Sequence, residues 1–541
     1  MLPSTAEPQE ATAREGERRP RGAVVVAAVL STLVLLVLVD VVADPPPTLV
    51  PYSTALVVAA AAGLVALAPL LHRAAAWSAG VLERVPRPGR WALAAAALLV
   101  LTLVPAVIGL AVRVPPGWDA GAVLDTATAF AQGTHYDFAE QYFAWYPNNL
   151  FLAFALGCYF KVVGAFGVTD TLAAAIWLHA VFMAVSSLLA VRLARRVAGP
   201  AAGVGTLLVT VPFVALGPWS GVPYSDTLSM PFPVAILLLA DIARTAPRWR
   251  SLGLWAAVGV LTAVGMQIKP TVVFAFAAVG LTAMLASRGA REWGRTAVAA
   301  AVALSFAGAA FLGSSAAVKA AHVVQFNLDT NTQAVPFTHF LKMGATGRGG
   351  FNADDIRDTL STPPADRFAN GLNGYLGRVE AMGPTGYPGF LLDKLGWSLG
   401  DGSFYAWAEG VTRENHSFPA HDPLSEQIRR FYTFDGDGAP LLRSAWQAAW
   451  FAVLAVLALS ALVRGGGRDA WAGTASRLAF LALLVFLALF ENRARYIYLY
   501  VPVVAVLVSA AVADGRAAFV RRRRQARPAP GPGGPGPAAV S

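Results

Sequence analysis

The sequence is poor in the residues on which soluble chemistry usually draws. It holds one cysteine, Cys158, set inside an apolar run, so an intrachain disulfide is excluded and thiolate metal chemistry is not expected. Only 14% of its 541 residues are charged, against about 25% in soluble domains, which excludes an ordinary cytosolic enzyme. The first 22 residues are polar, and the apolar run after them lacks a small-residue cleavage site, so a cleavable signal peptide is not expected.

What is present is hydrophobicity, at 56% of residues. It is gathered into blocks of about 20 residues, the length that crosses a bilayer as a helix. The blocks run over 23–43, 54–72, 91–112, 149–167, 172–191, 200–217, 229–243, 252–268, 270–286, 295–316, 443–464, 478–490 and 496–513. Arginines gather on one side of them: Arg18, Arg19 and Arg21; Arg73, Arg84, Arg87 and Arg90; Arg192, Arg195 and Arg196. The series continues with Arg244, Arg248 and Arg250, then Arg288, Arg291 and Arg295, then Arg464 and Arg468, and ends in Arg521 to Arg524. The positive-inside rule makes that side cytoplasmic and places both termini there. The net charge of +10 therefore reports orientation, and no nucleic-acid partner is expected.

Two cytoplasmic termini require an even number of crossings, while thirteen blocks are visible. The conflict is local: either 149–167 or 172–191 fails to cross, or the two form a single bent unit, which leaves about twelve. Two external connections are too long to be links, 113–148 and 317–442. The second carries 14 acidic and 10 basic residues with aromatics throughout, and is expected to pack as an external domain. Beyond Arg527 the chain is rich in Pro and Gly, as disordered extensions are.

Chemistry is expected where charge stands on the external side. Asp119, in Gly117-Trp118-Asp119-Ala120, follows the third block beside an interfacial Trp, a setting that suits a general base; it could equally cap the next helix. Asn148 and Asn149, after Trp145-Tyr146-Pro147, can hydrogen-bond a sugar or phosphate oxygen or serve as a cap. Asp226, in Tyr224-Ser225-Asp226-Thr227, could orient an acceptor, hold a divalent ion or cap a helix. Lys269, in Gln267-Ile268-Lys269-Pro270-Thr271, is costly at membrane depth unless it meets an anion; lipid phosphate, snorkelling and a structural pair with Asp226 all answer that. Arg493 and Arg495 break the arginine pattern on the external side, and either a phosphate or Glu491 and other loop acids would explain them. In the long loop, His339 is the most interesting single residue, without a partner nameable from sequence and without metal-ligand spacing.

Asp119, Tyr146-Pro147-Asn148-Asn149, Tyr224-Ser225-Asp226, Ile268-Lys269-Pro270-Thr271 and Arg495-Tyr496, in this order and on one side, resemble bacterial multi-pass glycosyltransferases of the GT-C architecture. The stretches 336–355 and 394–404 are similar to a loop of that group. The resemblance spans roughly 91–515 and is nearest the family 39-like group, which includes protein O-mannosyltransferases and aminoarabinose transferases. It implies an all-α GT-C-like bundle, a polyprenyl-phosphate sugar donor, and inverting transfer to an acceptor outside the cytoplasm, with Asp119 as base. The acidic pair of the O-mannosyltransferases is absent because Ala120 follows Asp119, so a glycan or lipid of the cell envelope is the expected acceptor rather than protein.

The expected organisation is then a cytoplasmic tail 1–22, an additional hairpin 23–90, a GT-C-like catalytic module 91–316 with loop 113–148, an external domain 317–442, C-terminal helices 443–515 and a disordered tail 516–541. The expected site is Asp119 and Asp226 as catalytic groups, with Lys269, Arg493, Arg495, Asn148, Asn149 and His339 binding substrate. No particular cofactor follows from the sequence; a divalent cation, which Asp226 could hold, is the one candidate. A polysaccharide polymerase or ligase and a secondary transporter are the competing functions.

Overall fold

The computed structural model describes residues 21–47, 49–409, 422–462 and 470–525. Arg18, Arg19, Arg464, Arg468 and the Pro/Gly-rich tail lie outside the described residues. Every regular element described is helical. The first part of the chain forms α1 (Arg21–Ala43), α2 (Thr54–Arg84), α3 (Arg87–Val112), α4 (Trp118–Gln132), α5 (Asp137–Trp145), α6 (Leu150–Gly164) and α7 (Thr171–Ala198). Next come the short α8 (Pro200–Gly205), α9 (Leu207–Thr210) and α10 (Ser225–Leu228), then α11 (Pro231–Thr245), α12 (Arg248–Ile268), α13 (Val273–Ala286) and α14 (Ala290–Ala320). The long connection contains α15 (Phe337–Gly344), α16 (Ala353–Ser361), α17 (Arg367–Leu399), α18 (Ala406–Glu409) and α19 (Pro423–Tyr432). The chain closes with α20 (Ala439–Leu459), α21 (Ala470–Leu489), α22 (Arg495–Tyr498) and α23 (Val501–Gln525).

Among the described residues, ten helices are long and apolar enough to cross a membrane, fewer than the about twelve crossings expected from sequence. The runs Pro200–Ala215 and Pro270–Ala286 are apolar but shorter. Prolines explain why: Pro200, Pro212 and Pro270 remove backbone donors, and the chain answers with separate short helices, a π-helical turn at Val211–Ala215 and a 3-10 turn at Pro270–Val272. The two blocks at the parity conflict differ in helix length. Helix α6 has 15 residues and α7 has 28, so the block 172–191 meets the spanning length and 149–167 does not. The expected disordered tail is corrected at its start, since α23 stays helical as far as Gln525.

The bundle is not uniformly enclosed. Ser225–Thr245 and Trp471–Leu489 are the most buried spans, and Ala290–Ala320 is the least. Helix α14 is nonetheless seated on α12: Gly259 lies against the Ala303 backbone with no room for a Cβ, and Gln267 hydrogen-bonds Ser314 (2.8 Å).

Among the described residues, the 317–442 connection does not form a large self-contained external domain. Helix α17 bends at Gly383 (φ 69°), and the segment after it enters the bundle. Phe404, fully buried, packs edge-on to Trp450 with ring centroids 5.0 Å apart, and against Tyr498 at 5.1 Å. Trp219 Nε1 donates to Phe404 O (3.3 Å) and Trp450 Nε1 to Leu399 O (2.6 Å). Asp401 anchors the turn: its Oδ1 accepts from Ser403 N and Ser403 Oγ (both 2.8 Å) and its Oδ2 from Tyr405 N (2.8 Å). Arg443 pairs with Asp401 at 2.9 Å, with side chains 2% and 6% exposed. This buried pair holds Phe404 and Tyr405 in left-handed conformations (φ 51° and 59°) that non-glycine residues seldom adopt.

Removing one partner of a buried pair strands the other charge, at a cost of about 3–5 kcal/mol. Arg443→Met is therefore expected to lower the thermal unfolding midpoint of the detergent-purified protein markedly. Arg443→Met combined with Asp401→Asn, which keeps an acceptor for the turn without the charge, should recover part of that loss. A double variant no more stable than the single one would contradict this account.

Candidate functional site

The site begins with a strained residue. Trp118, first in α4, has φ 46°, in the left-handed region. In that conformation its indole Nε1 donates to Glu409 O (3.0 Å), and its ring stands edge-on to Tyr224, with centroids 5.1 Å apart. The Arg495 guanidinium lies 4.1 Å from the same ring. One side chain thereby joins four segments that are far apart in sequence: the first external loop, the 224–228 turn, α18 and α22.

Asp119 follows, half-buried, in the first turn of α4, where a carboxylate suits the helix dipole. Asp119 is close enough to the Tyr142 hydroxyl for its charge to act on it. Asn149 Nδ2 donates to Tyr142 Oη at 2.6 Å, which leaves the phenolic proton free to be donated elsewhere. Asn148 Nδ2 donates in turn to Asn149 Oδ1 (3.2 Å). Burial, followed by the charge of Tyr224 and Asp119, raises the Tyr142 hydroxyl far above its ordinary value, so it remains a donor at any working pH.

Opposite stand the cations. Lys269 Nζ is 2.5 Å from Asp226 Oδ1 and 4.0 Å from the Tyr496 ring centroid. Arg495 Nε lies 4.0 Å from Asp226 Oδ2 and 3.5 Å from Glu409 Oε2. Those separations are too long for good hydrogen bonds, and Arg495 Nε and Nη1 are buried without an acceptor. Arg493 pairs with Glu409 and, at 3.3 Å, with Glu491. Burial raises the Glu491 carboxyl, with Arg493 and Arg495 opposing.

Two supports fix this arrangement. Behind Asp226, His179 Nδ1 lies 3.2 Å from Thr227 Oγ1, which donates to Tyr224 O (3.0 Å) and shapes the turn. Beneath Arg493 and Arg495, Lys394 donates to three backbone carbonyls, Gly344 (2.5 Å), Ala488 (3.0 Å) and Phe490 (2.6 Å). Asn492 Nδ2 donates to Lys394 O (2.6 Å) and Asn492 N to Gly349 O (2.7 Å). Burial pushes the Lys394 ammonium down to about 7.

Of the residues expected from sequence, Asp119, Asn148, Asn149, Asp226, Lys269, Arg493 and Arg495 come together. His339 does not. It is fully buried on α15, its Nδ1 2.8 Å from Thr359 Oγ1 on α16, and serves the packing of those helices. The pairing of Lys269 with Asp226, and of Arg493 with Glu491 and a loop acid, takes the form foreseen as the structural alternative. Glu409 and Tyr142 are the members that sequence reading missed. Glu409 had one signal, since arginines on the acidic side need partners; Tyr142 had none. Among the described residues, no group of three His, Cys, Asp or Glu side chains could hold a metal ion.

Residues 29–515 match a family described as conserved hypothetical integral membrane protein, and every residue of the cluster lies inside that match. The chain belongs to this family. Among solved structures it is similar to ArnT from Cupriavidus metallidurans, crystallised bound to undecaprenyl phosphate. The two share 14% identity over 81% of this chain and 80% of that one, with a TM-score of 0.32. No curated protein matches.

In this member of the family, Lys394→Met removes the donor of three buried carbonyls at once. At roughly 1 kcal/mol or more for each lost bond, about 3 kcal/mol of stability should go. Hydrogen exchange should quicken across 488–496 while the amides of α7 keep their protection. Unchanged exchange in that turn would show that Lys394 does not hold it.

Proposed function

We propose that the protein is a membrane glycosyltransferase that moves a sugar from a polyprenyl-phosphate donor to a hydroxyl of a cell-envelope glycan or lipid, on the extracytoplasmic face. The observation that carries this reading is the buried Arg495 guanidinium, whose Nε and Nη1 lack acceptors, beside Lys269 and in one cluster with the half-exposed Asp119. Buried donors of positive charge suit a phosphate, and a reachable carboxylate suits an acceptor hydroxyl.

In this scheme Asp119 takes the proton of the acceptor hydroxyl while the oxygen attacks the anomeric carbon. The bond from that carbon to the phosphate oxygen breaks on the opposite side, with inversion, and the lipid phosphate departs with the electron pair. Lys269 and Arg495 stabilise its growing charge. Tyr142, fixed by Asn149, holds the Asp119 carboxylate in one orientation. Asp226 keeps Lys269 and Arg495 together in the absence of substrate, and Arg493 offsets the charge of Glu409 and Glu491. No resident metal enters the scheme. A polysaccharide polymerase or ligase would use the same groups on a different acceptor. The position of these charges at helix ends, rather than within spans, supports an enzyme over a secondary transporter.

The test is incubation of the purified protein in proteoliposomes with a panel of polyprenyl-phosphate sugars, following donor consumption. Asp119→Asn keeps the size and the Tyr142 contact but removes the base, and should lower kcat by about 10²–10⁴-fold with an unchanged unfolding midpoint. Full turnover by that variant would overturn the mechanism, and no consumption of any donor by the wild type would overturn the function.

A further inference from the structure

The opposite end of the bundle carries a second feature that the proposed chemistry does not use. Helix α12 begins at Arg248 and ends beside Lys269, so at 1.5 Å per residue its two ends lie about 30 Å apart, a full hydrocarbon thickness. At the Arg248 end, α11, α12, α13, α14 and the start of α21 enclose a cleft of about 1060 Å³. It lies where α13, with 14 residues, is much shorter than its neighbour α14, with 31. Ala303 closes the inner end; from there outward the walls are largely apolar, with Trp255, Trp471 and Phe276 the largest side chains.

The rim has the opposite character. Arg244, Arg248, Arg291 and Arg295 all line it. Arg244 is engaged, 3.5 Å from Asp241 and over the Trp471 ring at 5.4 Å. Among the described residues Arg248, Arg291 and Arg295 have no ion pair, and Arg291 and Arg295 share one face of α14 by their spacing. The single acid at the rim, Glu292, accepts from Arg288 N (2.7 Å) and so is committed to the start of α14. Three guanidiniums without acids, at the mouth of an apolar cleft and at headgroup depth, call for an occupant that is anionic at one end and apolar at the other.

We propose that this cleft binds an anionic phospholipid of the arginine-side leaflet, its phosphate among Arg248, Arg291 and Arg295 and an acyl chain lying along α13 toward Ala303. The site is separate from the Asp119 cluster and does not rest on the function proposed for it. The volume is at the upper end of the roughly 300–1,000 Å³ that ligand sites occupy, and basic recesses between helices are a recurrent way of holding acidic headgroups. Bound there, the lipid would fill the gap left by the short α13 and tie it to α14.

Native mass spectrometry of the delipidated full-length protein, titrated with phosphatidylglycerol and phosphatidylcholine of identical chains, tests this. Each basic residue near an anionic headgroup contributes about fivefold in affinity, so three contribute about 100-fold. Phosphatidylglycerol should bind at least about tenfold more tightly than phosphatidylcholine, and Arg248→Ser/Arg291→Ser/Arg295→Ser should abolish the difference. Gly280→Phe supplies an independent arm. Gly280 lines the cleft, and a Cβ there meets nothing within 4 Å, so the ring would enter open space and fill the acyl path. It should weaken retention of both lipids while leaving the unfolding midpoint of the lipid-free protein unchanged. Equal binding of the two lipids by the wild type would overturn the proposal, as would full phosphatidylglycerol binding in either variant. Displacement by millimolar inorganic phosphate together with an inert Gly280→Phe would assign the arginines to a free anion instead.

Discussion

The placement of Asp226 governs this molecule. A carboxylate taken from water into a helical bundle must be matched by positive charge, and Asp226 is matched by Lys269 at 2.5 Å with Arg495 at 4.0 Å. Satisfying it requires the 224–228 turn, the end of α12 and α22 to meet. The other elements of the site follow from that meeting: Trp118 packs on Arg495, Glu409 arrives beneath Trp118, and Arg493 completes the set with Glu491. The charges are nearly balanced but not fully hydrogen-bonded, and Arg495 holds the remaining donor capacity. A cluster balanced in this way can exchange one anion for another without creating an unmatched charge.

Strain accompanies the cluster. The left-handed residues Trp118, Phe404 and Tyr405 lie in the segments that bring the external connections down onto the spans. Phe404 and Tyr405 are held by the buried Arg443–Asp401 pair and Trp118 by Glu409 and Tyr224. An unfavourable local conformation persists because contacts from other segments over-determine it. The end of the long connection therefore acts as part of the bundle, with Phe404 and Trp407 packed against Trp450, Tyr498 and Trp446.

The two faces of the membrane use positive charge differently. On the arginine-rich side the cations are exposed, many without acids, and suit lipid headgroups. On the other side Lys269, Arg493 and Arg495 are buried or half-buried and paired with acids, while Lys319, Arg357 and Arg430 form exposed ion pairs.

Much of this was legible from the residues. Apolar blocks of spanning length dictate helices because a backbone in hydrocarbon must satisfy its own hydrogen bonds. Arginine counts mark the two sides, and cations standing on the wrong side, Lys269, Arg493 and Arg495, stand out because their position is costly. Local rules had less to say where helices are shortened by proline or where a block of 15 residues imitates a span, and so the apolar blocks outnumber the ten helices of spanning length among the described residues. They could not distinguish His339, which packs two helices, from Asp119, which joins the cluster, since both are single polar residues beside aromatics. Nor could they supply Tyr142 or Glu409, whose roles depend on contacts with residues 7 and 84 positions away or more. The sequence by itself determined that the chain is a helical membrane protein with a sparse set of charges opposite its arginines. Which of those charges meet was decided by the tertiary structure alone, because pairing buried ions depends on distances that chain order does not encode.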